Sequence, residues 1–273
     1  MPLHSLISFM KAMILAAGEG TRLRPLTDNT HKVLVKINGK PILEHNINLA
    51  RQYGVRDIII NVCYKADQIM DYFQDGAKFG VSIVYSREEE LLGSAGGVKK
   101  VAKEFTEPFF LLYGDNVTNC NLDNLLLTHQ ENTKVFSALT QERKQVSSHL
   151  IRLENKTICT MAIHDMTKNK NSGIGRGRVL LNSDRSVKQF MENADEMSDL
   201  VSAGSYVLEP EIFKYILEGQ KYDFGWDVFP LLLRKNIKIG TYQFSEAEYV
   251  FGCDNIEGYH RTQDFFQYNY ERK

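Results

Sequence analysis

The chain has 273 residues, 43% hydrophobic and 25% charged, enough for one large α/β domain or two small ones with an ordinary core. Its formal net charge of -1 excludes a global pull toward nucleic acid or an anionic membrane, so any basic site has to be local. No apolar run approaches the ~20 residues of a membrane span, and the start MPLHSLISFM, lacking a charged n-region, reads as a short extension before a natural-looking start at Met10 of a cytoplasmic protein.

From there AMILAAG (12–18) predicts a strand. PILEHNINLARQYG (41–54) predicts a helix, with Ile42, Ile47 and Leu49 near one face and Gly54 as its stop. DIIINVCY (57–64) is a second strand, ADQIMDYFQDG (66–76) a short helix and VSIVYS (81–86) a third strand. SAGGVKKVAKEF (94–105) opens with glycines and becomes a helix, and PFFLLYGD (108–115) is a fourth strand. Continuous apolar strands alternating with helices predict a parallel sheet covered on both faces. Ligands of such sheets bind beyond the carboxyl ends of the strands, where Gly18, Tyr85–Ser86 and Gly114–Asp115 lie.

After about residue 130 the pattern loosens. VFSALTQ (135–141) and TICTMAI (157–163) are candidate strands, and the polar, glycine-rich TKNKNSGIGRGR (167–178) is a loop. GRVLLNSDRSVKQFMEN (177–193) predicts a hairpin turning at Asn182–Ser183–Asp184. SAGSYVLEPEIFKYI (202–216) is a strand running into a helix; KIGTYQF (238–244) and YVFGCDN (249–255) are late strands, and 257–273 is a final helix. With no repeat or linker, the simplest organisation is one catalytic domain over 1–273. Cys63, Cys120, Cys159 and Cys253 lie far apart with no CxxC pair, as buried or idle thiols in a reducing compartment do. His4, His45, His129, His149, His164 and His260 show no ligand spacing.

The segment AMILAAGEGTRLRPLTDNTHKVLVKINGKP (12–41) carries the chemistry. Gly18 and Gly20 permit close approach of backbone N–H groups to an anion. Arg22 can fork onto phosphate oxygens and Lys32 can add a point charge nearby. It is not a Walker A loop, because GKS/T is absent, and the dinucleotide spacing G-x-G-x-x-G fails at Leu23. Taken alone, a tight strand-to-helix turn with surface cations explains it equally well.

The full string is more specific. Gly18, Gly20, Thr21, Arg22, Pro25, Thr27, Lys32 and Gly39–Lys40–Pro41 resemble the pattern G-x-G-T-R-x-x-P-x-T, P-K, G-K-P of the sugar-phosphate nucleotidylyltransferases, which join sugar 1-phosphates to nucleoside triphosphates. EEELLGSAGGV (88–98) resembles the family's E-x-x-L-G-T-A-G, with Ser94 for threonine. LLYGDN (111–116), VKQFMEN (187–193), SAGSYVLEP (202–210), DVFPLLL (227–233) and CDNIEGYHRTQD (253–264) follow in the family's order. The resemblance covers most of 11–268 and is nearest to mannose-1-phosphate and heptose-1-phosphate guanylyltransferases. It implies an α/β, Rossmann-like three-layer αβα nucleotidyltransferase fold with a mixed central sheet and a smaller acceptor-binding β region. Residues 11–130 would be the NTP-binding half, and 131–273 the sugar-phosphate-binding and C-terminal part, ending with no room for an added domain.

The resemblance implies roles as well. Arg22, Lys32 and Asp115 would be catalytic. Leu15, Ala16, Ala17, Gly18, Gly20, Thr21, Glu88, Gly93 and Ser94 would bind nucleotide. Gly177, Glu192, Ser202 and Gly204 would bind the acceptor, joined by Arg178; Trp226 is a candidate for the same pocket, with a core role equally open. Asp115 and Asp254 would hold Mg²⁺. The sugar phosphate oxygen attacks the α-phosphorus and pyrophosphate leaves in line, so catalysis is positioning plus charge neutralisation without a protein nucleophile. The partners are then an NTP and a sugar 1-phosphate, with no nucleic acid or membrane, and homo-oligomerisation left open. Glu88 favours GTP, because a carboxylate accepts both guanine donors as a fork; a solvated run Glu88–Glu90 is the bland reading.

Three departures stand out. His31 replaces the usual proline, Asn193 the lysine expected at the sugar phosphate, and Ser202 an asparagine. Arg176, Arg178 and Lys188 are the candidates to supply the missing charge. Residues 146–175 also exceed the family's usual connection. The alternatives are a cytidylyl- or uridylyltransferase acting on phosphocholine, a phosphonate or another sugar phosphate, and a silent nucleotide-sugar-binding regulator. Retention of Arg22, Lys32 and Asp115 favours the enzyme.

Overall fold

The computed structural model describes residues 7, 9–142, 157–168, 172–193 and 198–270. In chain order these form β1 (Lys11–Leu15), β2 (Lys36–Ile37), β3 (Lys40–Pro41), α1 (Ile42–Gln52), β4 (Asp57–Val62), α2 (Ala66–Phe73), β5 (Ser82–Arg87) and α3 (Gly93–Lys100). Next come β6 (Phe109–Tyr113), β7 (Asn116–Thr118), α4 (Leu122–Glu142), β8 (Cys159–Asp165), β9 (Arg178–Leu181), β10 (Val187–Met191) and β11 (Leu200–Leu208). The last are α5 (Phe229–Arg234), β12 (Ile239–Gln243), β13 (Val250–Gly252) and α6 (Ile256–Tyr270).

One nine-stranded mixed sheet organises them, in the order β10-β9-β11-β6-β1-β4-β5, with β8 bridging β11 to β12. The stretch β6-β1-β4-β5 is parallel. Within it β6, β1 and β4 are apolar on both faces, so successive residues serve opposite cores, while the edge strand β5 exposes Ser82 and Val84. Ala12 and Ile14 pack with Leu43 and Ile47 of α1 and Ile69 of α2, while Met13 packs with Ala95 and Val98 of α3. This is the three-layer αβα arrangement.

Beyond β6 the sheet turns antiparallel, through β11. This nine-residue strand serves β6, β8 and β9 in turn. Its register with β8 breaks between Ser202 and Tyr206. There Gly204 adopts φ +69°, and a Cβ would strike Asn116 Nδ2. The irregularity sets Gly204 against Tyr113 and Asn116 at the end of β6. A smaller cluster (Ile37, Ile42, Val117, Cys253) seats α6 over β2 and β7.

Two expectations change. VFSALTQ (135–141) lies within α4 and is not a strand. Leu122, Leu125 and Leu126 are buried on one face of that helix, and extending an established helix costs less than nucleating a new element. After Pro210 the chain makes a 3₁₀ helix, Pro210–Tyr215, instead of an α-helix. Among the described residues no helix is long and apolar enough to cross a membrane.

Candidate active site

The glycine-rich segment leaves β1 and is tied to the neighbouring strand at once: the Ala16 N–H donates to Asn61 Oδ1 at 2.9 Å. Gly20 is left-handed (φ +69°), and a Cβ there would meet Lys32 Cβ at 2.5 Å. The lysine stem thus runs against the loop, and only glycine lets the two backbones approach so closely. The loop is braced from outside. Thr27 Oγ1 donates to Gly20 O (2.8 Å), Lys65 Nζ to Thr27 O (2.9 Å) and Asp28 O (2.7 Å), and Gln68 Nε2 to Asn29 O (2.9 Å).

His31, fully buried, accepts from the Val33 N–H at 3.2 Å and caps the turn that presents Lys32. Burial first, and then the Lys32 charge, push its pKa down to about 4, so the ring is neutral at physiological pH. Histidine in the proline's place therefore adds no charge to the loop.

Lys32 Nζ reaches Asp115 Oδ2 at 2.6 Å. Asp115 follows β6, on the adjacent parallel strand. Burial pushes its carboxyl up, but the Lys32 charge and hydrogen bond outweigh that and hold it below the usual carboxylate range. The Asp115 carbonyl accepts from Cys253 N–H at 3.0 Å. That bond brings Asp254 to the same place, where Arg22 pairs with it at 2.7 Å. Arg22, Asp115 and Asp254 thus line one cleft of about 680 Å³, with Lys32 set behind Asp115.

The cleft continues over β9, β10 and β11. Gly177, Glu192, Ser202 and Gly204 line it, together with Arg176 and Asn193. Ser202 Oγ and the Tyr206 hydroxyl share a hydrogen bond of 2.7 Å. Burial raises the pKa of the half-buried Glu192, Arg176 lowers it and Asp223 raises it, for a net upward shift.

Other expected residues sit elsewhere. Glu88 is 3% exposed; it accepts from Asn61 Nδ2 (2.8 Å) on one carboxylate oxygen and from the Leu92 N–H (3.0 Å) on the other. It is not a solvated surface charge: each oxygen already accepts one hydrogen bond, tying β4 to the turn before α3. The start of α3 is likewise committed. Ser94 N–H and Oγ donate to Asp223 Oδ1 (2.9 and 3.0 Å), and the Ala95 and Gly96 amides to Tyr222 O (2.9 Å each). Arg178 begins β9 and donates to Ser198 O at 2.7 Å, and it is not among the cleft-lining residues. Trp226 is 58% exposed outside the cleft, which its neighbour Gly225 lines instead.

Asn61 and Asp223 escaped the sequence reading. An asparagine inside the apolar run DIIINVCY is a signal like the acid that ends LLYGD; nothing local marks Asp223, whose partner lies 129 residues away.

Against known proteins, a family model described as nucleotidyl transferase matches residues 11–249. A UTP–glucose-1-phosphate uridylyltransferase of Synechocystis sp. is 34% identical over 241 residues, covering 82% of this chain and 55% of the relative. A mannose-1-phosphate guanylyltransferase of Mycobacterium tuberculosis is 29% identical over 224 residues, covering 81% of this chain and 55% of the relative. The chain spans about half the length of the curated relatives it matches. HddC from Yersinia pseudotuberculosis, solved in complex with GMP-PN, superposes with a TM-score of 0.67 over 94% of this chain and 100% of that chain, at 20% identity; that likeness bears on the fold alone.

Proposed function

The chain belongs to the nucleotidyl transferase family, and from that premise we propose that its cleft transfers a nucleoside monophosphate from an NTP to a sugar 1-phosphate. The observation that carries this reading is that Asp115, paired with Lys32, and Asp254, paired with Arg22, line a cleft that runs on to Glu192 and Ser202. A phosphate oxygen of the acceptor forms the new bond to the α-phosphorus, and the bond to the β-phosphate's bridging oxygen breaks. That electron pair leaves with pyrophosphate. No protein nucleophile is required.

The protein's part is to bring two polyanions together. Lys32, its stem laid along the Gly18–Gly20 turn, puts its charge where the transferred phosphorus passes. Arg22 is placed to fork onto the leaving pyrophosphate. Backbone amides of the 17–21 turn supply further donors without side-chain entropy. Asp115, held ionised by Lys32, and Asp254 form a hard-oxygen donor set. Such a pair suits magnesium, which commonly takes one or two carboxylates and completes its sphere with phosphate and water. The cation, when bound, neutralises phosphate charge.

The nucleotide is proposed as an NTP without a fixed base. With Glu88 committed to Asn61 and Leu92, the argument for guanine loses its free fork, and the relatives include both uridylyl- and guanylyltransferases. The test is pyrophosphate release across the four NTPs and a panel of glucose, mannose, heptose and N-acetylhexosamine 1-phosphates, with phosphocholine alongside. Turnover of at least one sugar 1-phosphate is expected. Turnover of phosphocholine alone overturns the acceptor class, and no turnover with any pair overturns the reaction.

A further inference from the structure

Resting on that reading, we infer that Arg176 is the residue that grips the phosphate of the acceptor. The attacking phosphate approaches the α-phosphorus from the side opposite the leaving pyrophosphate, so it needs a cation that is not already serving the nucleotide. Among the described residues lining the cleft, the cations are Arg22 and Arg176. Arg22 is paired with Asp254. Arg176 has no ion pair or hydrogen bond among the described residues.

Its backbone is tethered on both sides of the reaction path. Downstream, the Gly177 N–H donates to Glu192 O (3.2 Å), and Gly177 O accepts from the Ser202 N–H (2.9 Å). Upstream, Ser172 O accepts from the Gly252 N–H at 2.8 Å, two residues before Asp254 in sequence. Arg176 is thus strung between the carboxylate that pairs with Arg22 and the carboxylate that faces the acceptor.

The other candidates for this duty are placed differently. Arg178 enters β9 and gives its guanidinium to the Ser198 carbonyl. Lys188 is exposed on β10, next to the register shift between Val187 and Gln189, and is not among the cleft residues. Asn193, which does line the cleft, is neutral. A guanidinium can bind two phosphate oxygens in parallel, which an amide cannot.

The test is steady-state kinetics, with the acceptor varied at saturating NTP and the NTP varied at saturating acceptor. A charge-assisted hydrogen bond removed on binding corresponds to about 10- to 100-fold. Arg176→Ala is expected to raise the acceptor KM by that factor and to leave the NTP KM within about twofold. Asn193→Lys added to Arg176→Ala is expected to recover most of the loss, because it returns a cation to the same stretch of cleft. An unchanged acceptor KM, an equal rise of both KM values, or a double variant no better than Arg176→Ala each overturns the assignment while the proposed reaction stands. A wild-type protein that turns over no sugar 1-phosphate removes the reaction itself, and the assignment with it.

Discussion

The two ends of the cleft are built differently. At the end proposed for the nucleotide, Asp115 follows a strand of the parallel stretch, Arg22 and Lys32 sit in 3₁₀ turns of the glycine-rich loop and Asp254 follows β13, and the charges come in pairs: Lys32 on Asp115, Arg22 on Asp254. At the acceptor end they leave antiparallel strands and a loop; Glu192 is half-buried and Arg176 exposed on the loop. Charges paired across the loop hold one another in a common geometry, and an incoming triphosphate has to compete for cations already neutralised. Side chains outside the sheet ladder, on the loop before β9 and just after β10, can be exchanged without disturbing the sheet. Chemistry common to a family therefore belongs at the first end, and choice of acceptor at the second.

The largest expected effect breaks the paired end. Asp115→Asn should lower kcat at least ~100-fold, on the scale of other electrostatic deletions in active sites. It removes a cleft carboxylate and leaves Lys32 without its partner. Pyrophosphate release at saturating substrates measures it. Near-wild-type turnover, or wild-type turnover undiminished in EDTA, would show that this end does not work through its carboxylates.

The next effect concerns the brace behind the nucleotide turn. Glu88→Gln leaves one buried donor, Asn61 Nδ2 or the Leu92 N–H, facing an amide N–H₂, a loss of about 1–3 kcal/mol. For a chain of this size that lowers Tm by roughly 2–4 °C per kcal/mol. Because Asn61 also holds the Ala16 amide, rates with all four NTPs should fall by a similar factor. A changed ranking among the NTPs would return Glu88 to the role of base reader.

How much of this the sequence disclosed follows the same division. β1, β4 and β6 were legible because strands buried on both faces are continuous apolar runs, and Asp115 because an acid ending such a run needs a reason. The β9–β10 hairpin was legible from Asn182–Ser183–Asp184. The partners of Glu88 were not, since they depend on which strands lie side by side and on the local fold at Leu92; Asn61 is 27 residues away. Nor was the choice between Arg176 and Arg178. It turns on where β9 begins, because pairing of Arg178 with Met191 and Val201 takes that residue into the sheet and leaves Arg176 on the loop. VFSALTQ failed for a related reason: a seven-residue window hides the helix already running into it.

At the acceptor end, Glu192→Gln should raise the acceptor KM about tenfold, the value of a hydrogen bond to a charged group, and leave the NTP KM unchanged. Equal changes in both constants would mean that the two ends are coupled and that the comparison fails.

The smallest effect is read from pH. Burial lifts the Glu192 carboxyl above its usual range, while Lys32 holds Asp115 below it. As pH falls, Glu192 takes up a proton before Asp115 does, and a protonated carboxyl no longer accepts from a sugar hydroxyl on both oxygens. The acceptor KM should therefore rise on acidification, with kcat less affected. The acceptor's own phosphate also gains a proton near pH 6, so the raw profile mixes two titrations. Glu192→Gln separates them, because the variant keeps the phosphate titration and loses the carboxyl. The readout is the ratio of wild-type to variant acceptor KM at each pH. This ratio should climb toward one as the solution is made acid, because the wild type loses an advantage the variant never had. A ratio constant from pH 7 to pH 5 would mean that the Glu192 carboxyl does not change its protonation in contact with the acceptor over that range.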